Sequence, residues 1–189
     1  SRARDTTETY NVRLGSIEKL EQSISKGLGL RIIKNGATAL TYTTDFTDKS
    51  VKSLVSDTLD IVKVSSADPY NGLAPKEHLG VYDGKLAIYD ESLARMTPEK
   101  KIEMAREMES AGMKFDKRIT NSQGASWSDG TNRYTLANSD GFTGQYQTTT
   151  AVLSLSLLAE QNGVKQTDFW YSFNRFVNRL DSPKAIGEE

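Results

Sequence analysis

The chain has 189 residues, no cysteine and a net charge of −1. Without cysteine there is no disulfide, no thiolate metal ligand and no cysteine nucleophile, and the balance of 24 basic and 25 acidic residues lacks the basic excess that is typical of nucleic-acid-binding proteins. No apolar run approaches the roughly 20 residues of a membrane-spanning helix, so we expect a cytoplasmic protein with a conventional hydrophobic core.

The first forty-odd residues predict an antiparallel meander. Residues 10–14 alternate apolar and polar side chains, which is typical of a half-buried strand. Residues 17–25 fit either a helix or a strand, and their neighbours favour a strand. Residues 28–34 and 37–44 are strand-like on either side of Asn35-Gly36, a strong signal for a two-residue hairpin turn.

A helix should follow the meander and cover one of its faces. Thr47 is a suitable N-cap, and apolar positions then recur at helical spacing. These positions are Val51, Leu54, Val55, Thr58, Leu59 and Val62. Residues 65–80 hold two prolines and two glycines, which indicates a loop that closes the first unit.

A second unit should begin with a helix at Thr97-Pro98, an N-cap followed by proline at the first helical position. Its predicted buried face is Ile102, Ala105, Met108, Ala111 and Phe115. Strand-like segments follow at 117–127, 132–138, 145–159 and 164–173. We expect Asp129-Gly130, Asp140-Gly141 and Asn162-Gly163 to form the turns between them.

The pattern as a whole predicts an α+β fold of two units, each an antiparallel sheet covered by an amphipathic helix. The units span 1–80 and 97–181, and residues 81–96 connect them. Residues 182–189 look like the start of a helix, with Ser182 as N-cap and Pro183 at the first position. Because a helix this short is not stable alone, we expect the chain to be part of a longer protein.

None of the candidate sites carries a convincing chemistry. His78 is the single histidine, and a zinc site needs at least three protein ligands, so we interpret it as a solvated loop residue. Gly27-Leu28-Gly29 lacks the third glycine of a dinucleotide-binding loop, and a bulge or tight turn explains it better. The sequence therefore predicts no catalytic, cofactor-binding or metal-binding residue.

Two further groups could carry function, but a structural interpretation is stronger. The acidic pairs Asp48 with Asp57 and Glu107 with Glu109 should lie on solvated helix faces. The aromatic residues could stack nucleic-acid bases, but no basic groove accompanies them. They are Trp127, Phe169, Trp170, Tyr171 and Phe173.

The segment from about 144 to 173 should form a long hairpin. Leu153, Leu155 and Leu157 fall on one face of the first strand, which predicts that this face is buried. A strand over 145–159 would be about 50 Å long, beyond the usual range, so part of the hairpin, with residues 169–171, should contact further protein. The alternative is a bend at 148–150 that divides the strand in two.

The order of several short segments resembles the TldD/PmbA family, once described as modulators of DNA gyrase. The matching segments are Glu18-Lys19-Leu20-Glu21, residues 27–32, Asn35-Gly36, Asp68-Pro69, residues 116–121 with Gly124, Asn138-Ser139-Asp140-Gly141-Phe142, Phe169-Trp170-Tyr171, Arg175, Leu180 and residues 183–187. Together they cover nearly the whole chain. The stretches at 138–142 and 162–171 look more like the PmbA (TldE) branch.

The resemblance implies membership of a metallopeptidase system that acts on peptides or unfolded segments. A TldD-type subunit holds a zinc-like metal on a His-Glu-x-x-x-His helix, and the PmbA-type subunit pairs with it. No such helix occurs here, because Leu79 and Asp83 stand where its Glu and second His would follow His78. The metal would belong to a missing C-terminal half or to a TldD-like partner.

These implications lead to one main expectation and one alternative. We expect the N-terminal region of a PmbA-like subunit that is structural, presents peptides, and pairs with a TldD-like subunit or with itself. The alternative is a non-enzymatic interaction protein that modulates DNA gyrase or a toxin–antitoxin pair. Direct binding to nucleic acid or membrane is not expected.

Overall fold

A computed structural model describes residues 1–80 and 86–189 of the chain. Its strands are β1 (Arg2–Arg13), β2 (Ser16–Lys34), β3 (Ala37–Thr43), β4 (Ile119–Ala137), β5 (Thr143–Gln161) and β6 (Val164–Asn174). Its helices are α1 (Asp48–Val64), α2 (Glu91–Ala94), α3 (Pro98–Phe115) and α4 (Pro183–Glu188). The predicted α+β class is confirmed. No helix in the described ranges has the length and apolar character to cross a membrane.

All six strands belong to one sheet, in the order β3-β2-β1-β4-β5-β6. The predicted division into two sheets is not confirmed. The reason is that β1 is hydrogen-bonded to β2 on one side and to β4 on the other, so the meander continues into the later strands. Such a long-range pairing leaves no local trace in a sequence.

Two compact units can be distinguished, and each is assembled from three segments of the chain. The first contains Ser1–Asp5, Ser25–Leu86 and Arg133–Tyr146, and the second contains Thr6–Ile24, Ala87–Asn132 and Gln147–Glu189. Residues 81–85 of the predicted connector lie outside the described part of the chain. The predicted domain boundaries at 80 and 97 therefore stay a prediction.

The first unit contains the predicted hairpin and the helix that covers it. Residues 28–34 of β2 pair antiparallel with β3 around the Asn35-Gly36 turn. Thr47 caps α1 by accepting a hydrogen bond from the Ser50 amide. Val62 packs on Ala37 and Ala39 of β3. The turn and the helix are confirmed, and so is the predicted strand over 17–25, which lies mostly in the second unit.

The second unit contains α3, which starts at Pro98 behind the Thr97 cap as predicted. Its predicted buried face is confirmed at Ala105 and Met108 and is wrong at Phe115. The buried residues are Lys101, Ala105, Met108, Glu109 and Gly112, whereas the side chain of Phe115 is 62% exposed. A periodicity count assigns charged residues to solvent, and here two of them point inward because they find partners there.

Lys101 lies at the centre of a buried ionic cluster. Its Nζ is 2.7 Å from a Glu8 oxygen on β1 and 2.8 Å from an Asp129 oxygen on β4. The Tyr10 hydroxyl donates to Glu8, and the Trp127 indole N–H donates to Asp129. The hydrogen bond from Lys101 lowers the pKa of Glu8, while burial raises the pKa of Tyr10.

Asp129 explains a second wrong prediction, the turn at Asp129-Gly130. β4 runs without interruption from Ile119 to Ala137, and Asp129 serves the ionic cluster. A Cβ on Gly130 would lie 3.4 Å from the Thr6 carbonyl oxygen, so the glycine allows close packing inside the sheet. By contrast, Asp140-Gly141 does lie in a turn, with Gly141 at φ +88°.

The long hairpin is present. β5 is one 19-residue strand, so the alternative with a bend at 148–150 is wrong. β5 pairs antiparallel with β6 around Asn162-Gly163. Leu153 and Leu155 are buried on the predicted face, and Leu157 is half-buried.

α4 docks on α3 where two glycines meet. Ser182 caps α4 as predicted by accepting a hydrogen bond from the Ala185 amide. A Cβ on Gly187 would lie 2.5 Å from the Met108 carbonyl oxygen and 2.7 Å from the Gly112 nitrogen. No side chain fits between these backbones, so the contact depends on Gly187.

We predict that Lys101→Met destabilises the fold by about 1–3 kcal/mol at neutral pH, because it removes the cation that pairs with the half-buried carboxylates of Glu8 and Asp129. Glu8 has a lowered pKa in the folded state, so its stabilising contribution exists above the ordinary value of 4.5 and is lost as the pH falls through the lowered value. The variant should therefore lose less stability than the wild type on acidification. Urea denaturation at neutral pH and at pH values below 4.5 measures the loss of stability and its dependence on pH.

The neighbouring lysine provides a matched control for this experiment. Lys100 is exposed and pairs with Glu103 on the helix surface, so Lys100→Met should change stability little. Equal destabilisation by both substitutions would contradict the role assigned to the cluster.

We also predict that Gly187→Ala destabilises the protein by about 1–3 kcal/mol, because the added methyl group overlaps backbone atoms of α3. Gly72 has no atom within 4 Å of an added Cβ, so Gly72→Ala is the control and should be neutral or slightly stabilising. Thermal denaturation of the two variants checks this. Equal melting temperatures would refute the close packing of α4.

Candidate interaction surface

His78 ends a short 3₁₀ turn and is exposed. Within residues 1–80 and 86–189, no three His, Asp or Glu side chains cluster in a way that could hold a metal ion. The described residues therefore do not offer the ligands for the metal that the resemblance implies.

The other sequence candidates have structural roles. Asp48, Asp57 and Glu107 are exposed as predicted, but Glu109 is buried, which makes that part of the prediction wrong. Gly27 and Gly29 lie inside the continuous strand β2 and form no turn. Gly29 instead exchanges backbone hydrogen bonds with Ser1 at the start of β1.

The strongest candidate for function is the edge strand β6, which carries a cluster of exposed aromatic side chains. The side chains of Phe169, Trp170, Tyr171 and Phe173 are between 49% and 65% exposed. Trp127 differs, because it is fully buried in the core. Four large exposed aromatic residues on one edge strand exceed what folding of this unit requires.

Three of these residues form a row on one face of the sheet. Phe169, Tyr171 and Phe173 alternate along β6, so their side chains share a face. The rings of Phe169 and Tyr171 stack with centroids 6.5 Å apart. The cross-strand neighbours of these two on β5 are Ser156 and Ser154. The row is therefore an apolar ridge beside a surface of small hydroxyl side chains.

Trp170 points to the opposite face and lines a groove. It lies across from Leu155, and Phe115 and Ile186 contribute to the same groove, which has a volume of about 360 Å³. Ligand pockets usually start near 300 Å³, so the groove is large enough for a side chain or two of a partner. The exposed side chain of Phe115 therefore lines this groove.

Charged residues hold the corner that precedes β4, beside the groove. Arg118 donates to both carboxylate oxygens of Asp116, at 2.9 Å each, and this hydrogen bonding lowers the pKa of Asp116 to about 2. The Glu160 amide donates to the Arg118 carbonyl oxygen. The pair fixes the path of the chain from α3 into β4.

Sequence reasoning found the aromatic residues and missed their surroundings. Phe169, Trp170 and Tyr171 were expected to face further protein, and their exposure agrees with this. The serine face of β5 and the groove position of Phe115 were not foreseen. Alternation of Ser154 and Ser156 with the leucines was the available signal, because it marks one polar and one buried face.

Comparison with known proteins gives matches along most of the chain. Residues 3–62 match PmbA/TldA metallopeptidase domain 1, and residues 91–189 match the PmbA/TldA metallopeptidase central domain. The metalloprotease PmbA of Escherichia coli O157:H7 is 29% identical over 99% of this chain. A PmbA homologue of Haemophilus influenzae is 29% identical over 95% of it.

Solved structures share the fold. A proposed modulator of DNA gyrase from Bacteroides thetaiotaomicron superposes with a TM-score of 0.84 at 24% identity, over 99% of this chain and 42% of its own. TldE from Thermococcus kodakarensis superposes with a TM-score of 0.82 at 19% identity, over 99% and 41%.

The chain spans 41% of the length of the E. coli protein and 40% of the H. influenzae protein. The matched regions correspond to two consecutive domains of such proteins. On this evidence, the chain belongs to the PmbA/TldD family and represents its first and central domains.

Proposed function

We propose that this chain is the structural, peptide-presenting N-terminal part of a PmbA/TldE-like subunit in a cytoplasmic metalloprotease system. The matches to the first and central domains and the metalloprotease names of the relatives support this proposal. A zinc-like metal would be supplied by the remaining part of a family chain or by a TldD-like partner. The chain itself would contribute surface and would not contribute metal ligands.

The observation that carries the proposal is the exposed aromatic edge of β6. Aromatic side chains are enriched at protein interfaces and often dominate their energetics. Phe169, Tyr171 and Phe173 offer an apolar row on one face, and Trp170 opens a groove on the other. This arrangement fits a contact with a TldD-like subunit and with extended peptide segments held between the subunits.

We predict that a TldD-like subunit encoded in the same genome binds this chain and that Phe169→Ser with Tyr171→Ser weakens the complex at least about tenfold, because hot-spot aromatic residues contribute roughly 2 kcal/mol or more each. Titration by calorimetry measures the affinity. In a Trp127→Phe background, Trp170 is the remaining tryptophan, and its emission should shift to shorter wavelength on binding.

The control is a surface aromatic residue outside the hairpin. Tyr42 on β3 is 83% exposed, so Tyr42→Ser should leave the affinity unchanged. Undiminished binding by the hairpin variant, or an unchanged Trp170 spectrum in a formed complex, would overturn the proposed contact.

We further predict that the chain alone neither retains stoichiometric zinc nor cleaves unfolded peptides, because a zinc site requires at least three protein ligands. Metal analysis after gel filtration and a casein digest test this. Bound zinc together with cleavage that disappears in His78→Ala would refute it. Cleavage that appears only when the TldD-like subunit is added would agree with the proposal.

A second candidate function is modulation of DNA gyrase without enzymatic activity. It rests on the names of two solved structures of this fold, from B. thetaiotaomicron and Thermotoga maritima. A supercoiling assay with purified gyrase separates the two functions. A change in gyrase activity at stoichiometric amounts of this chain, without any TldD-like protein, would favour the second candidate.

A further inference from the structure

Three two-residue turns of the chain have nearly the same backbone geometry, and only two of them share the sequence Asn-Gly. The two central residues have φ of 50° and 76° at Leu14-Gly15, 52° and 78° at Asn35-Gly36, and 54° and 80° at Asn162-Gly163. Asparagine tolerates the left-handed conformation, and Asn-Gly is the preferred pair for such turns. Leucine is the exception among the three and is not explained by the turn.

Packing within the chain does not explain Leu14 either, since its side chain is 60% exposed. The turn is nevertheless held firmly in place. The buried Glu109 carboxylate accepts from the Leu14 amide at 2.8 Å and from the Gly15 amide at 2.7 Å. Arg106 donates to the Gly15 carbonyl oxygen. A strained, bulky apolar residue is thus fixed in solvent, and strain of this kind concentrates at functional positions.

The strand that leaves this turn is half unpaired. β3 pairs with β2 only over residues 28–34, so residues 16–24 have β1 as their one strand neighbour among the described residues. All nine are exposed, and Ile17, Leu20 and Ile24 are among them. Every second residue there directs its N–H and C=O away from β1, which is the template that an added strand requires.

We propose that residues 16–24 of this edge pair antiparallel with the same residues of a second copy of the chain, with the Leu14 turn lying just beyond the end of the paired strands. The pairing is centred on Leu20, so that residues i and j of the two copies face each other when their numbers add to 40. Lys19 of each copy then faces Glu21 of the other, which gives two attractive cross-strand pairs. Within one chain these two side chains already lie 2.7 Å apart, so the dimer would hold an alternating set of four charges.

The charges select this register over its neighbours. Centring the pair on Lys19 or on Glu21 would place like charges directly opposite each other. A sum of 39 would place Glu18 against Glu21 twice, and a sum of 41 would place Leu20 against Glu21 twice, so that neither register pairs Lys19 with Glu21. Centring on Leu20 instead sets Leu20 against Leu20 and Ile17 against Ser23. Self-complementary charge is the reason to choose a second copy over an unrelated strand as the occupant.

The edge is short, so the dimer should be weak. Nine paired residues span about 30 Å, and an interface of this size falls among the smaller, transient ones. Sedimentation velocity of the 189-residue chain, from about 10 to 500 µM, should show a reversible monomer–dimer equilibrium. A chain that stays monomeric over this whole range would overturn the proposal.

Two single substitutions identify the edge. Lys19→Glu places a carboxylate opposite Glu21 of the second copy, and Glu21→Lys places an ammonium opposite Lys19. Each variant alone should dimerise at least about tenfold more weakly. When the two are mixed, both cross-strand pairs become attractive again, so a heterodimer should form. Lys52→Glu on α1 makes the same change in net charge and should leave dimerisation unchanged.

Circular dichroism shows whether each variant is folded, and the mixing experiment uses folded monomers only. Wild-type dimers that persist in both single variants would overturn the proposal, as would a mixture of the two variants that remains monomeric. The self-association does not depend on the hairpin contact, so Phe169→Ser with Tyr171→Ser should leave it intact.

Leu14→Asn separates turn stability from association. It converts the turn to the sequence of the other two, so the melting temperature of the monomer should rise. The dimer should weaken, because the apolar group that reaches past the end of the paired strands is removed. A rise in melting temperature with unchanged dimerisation would remove Leu14 from the proposed interface.

Discussion

The position of α3 in the second unit depends on one buried lysine. Lys101 must lie where its ammonium group meets Glu8 and Asp129, since a buried charge without partners is strongly destabilising. This requirement places Lys101 on the buried face of the helix beside Ala105 and Met108. Two consequences follow along the same helix. Glu109 turns inward and fastens the Leu14-Gly15 turn, while Phe115 turns outward to line the groove.

The local features of this fold could be predicted from the sequence, whereas features that depend on distant partners could not. Helix starts at Thr47 and Thr97 and the turns at Asn35 and Asn162 depend on residues next to each other in the chain. The face of α3 depends on carboxylates 93 and 28 residues away. Asp129-Gly130 shows the same limit, because its local signal is a turn and its actual role is set by Lys101 in another element.

The candidate interaction surface likewise has one feature that the sequence predicted and one that it did not. Exposure of the aromatic residues on β6 followed from the length of the hairpin, which a single unit cannot cover. The two faces of β6 could be assigned only once its register with β5 was known, because a slip of one residue exchanges the faces. With that register, Trp170 joins Leu155 above the groove, and Phe169 and Tyr171 stack beside the serines.

The two proposed surfaces differ in the way they avoid indiscriminate pairing. The free part of β2 carries Glu18, Lys19 and Glu21, and charged residues on an edge strand discourage most partners. They admit a partner with the complementary order of charge, and the strand itself has that order. On β6, bulky aromatic side chains, more than charge, hinder pairing with another strand. This edge therefore suits a partner surface that fits the aromatic side chains better than it suits an added strand.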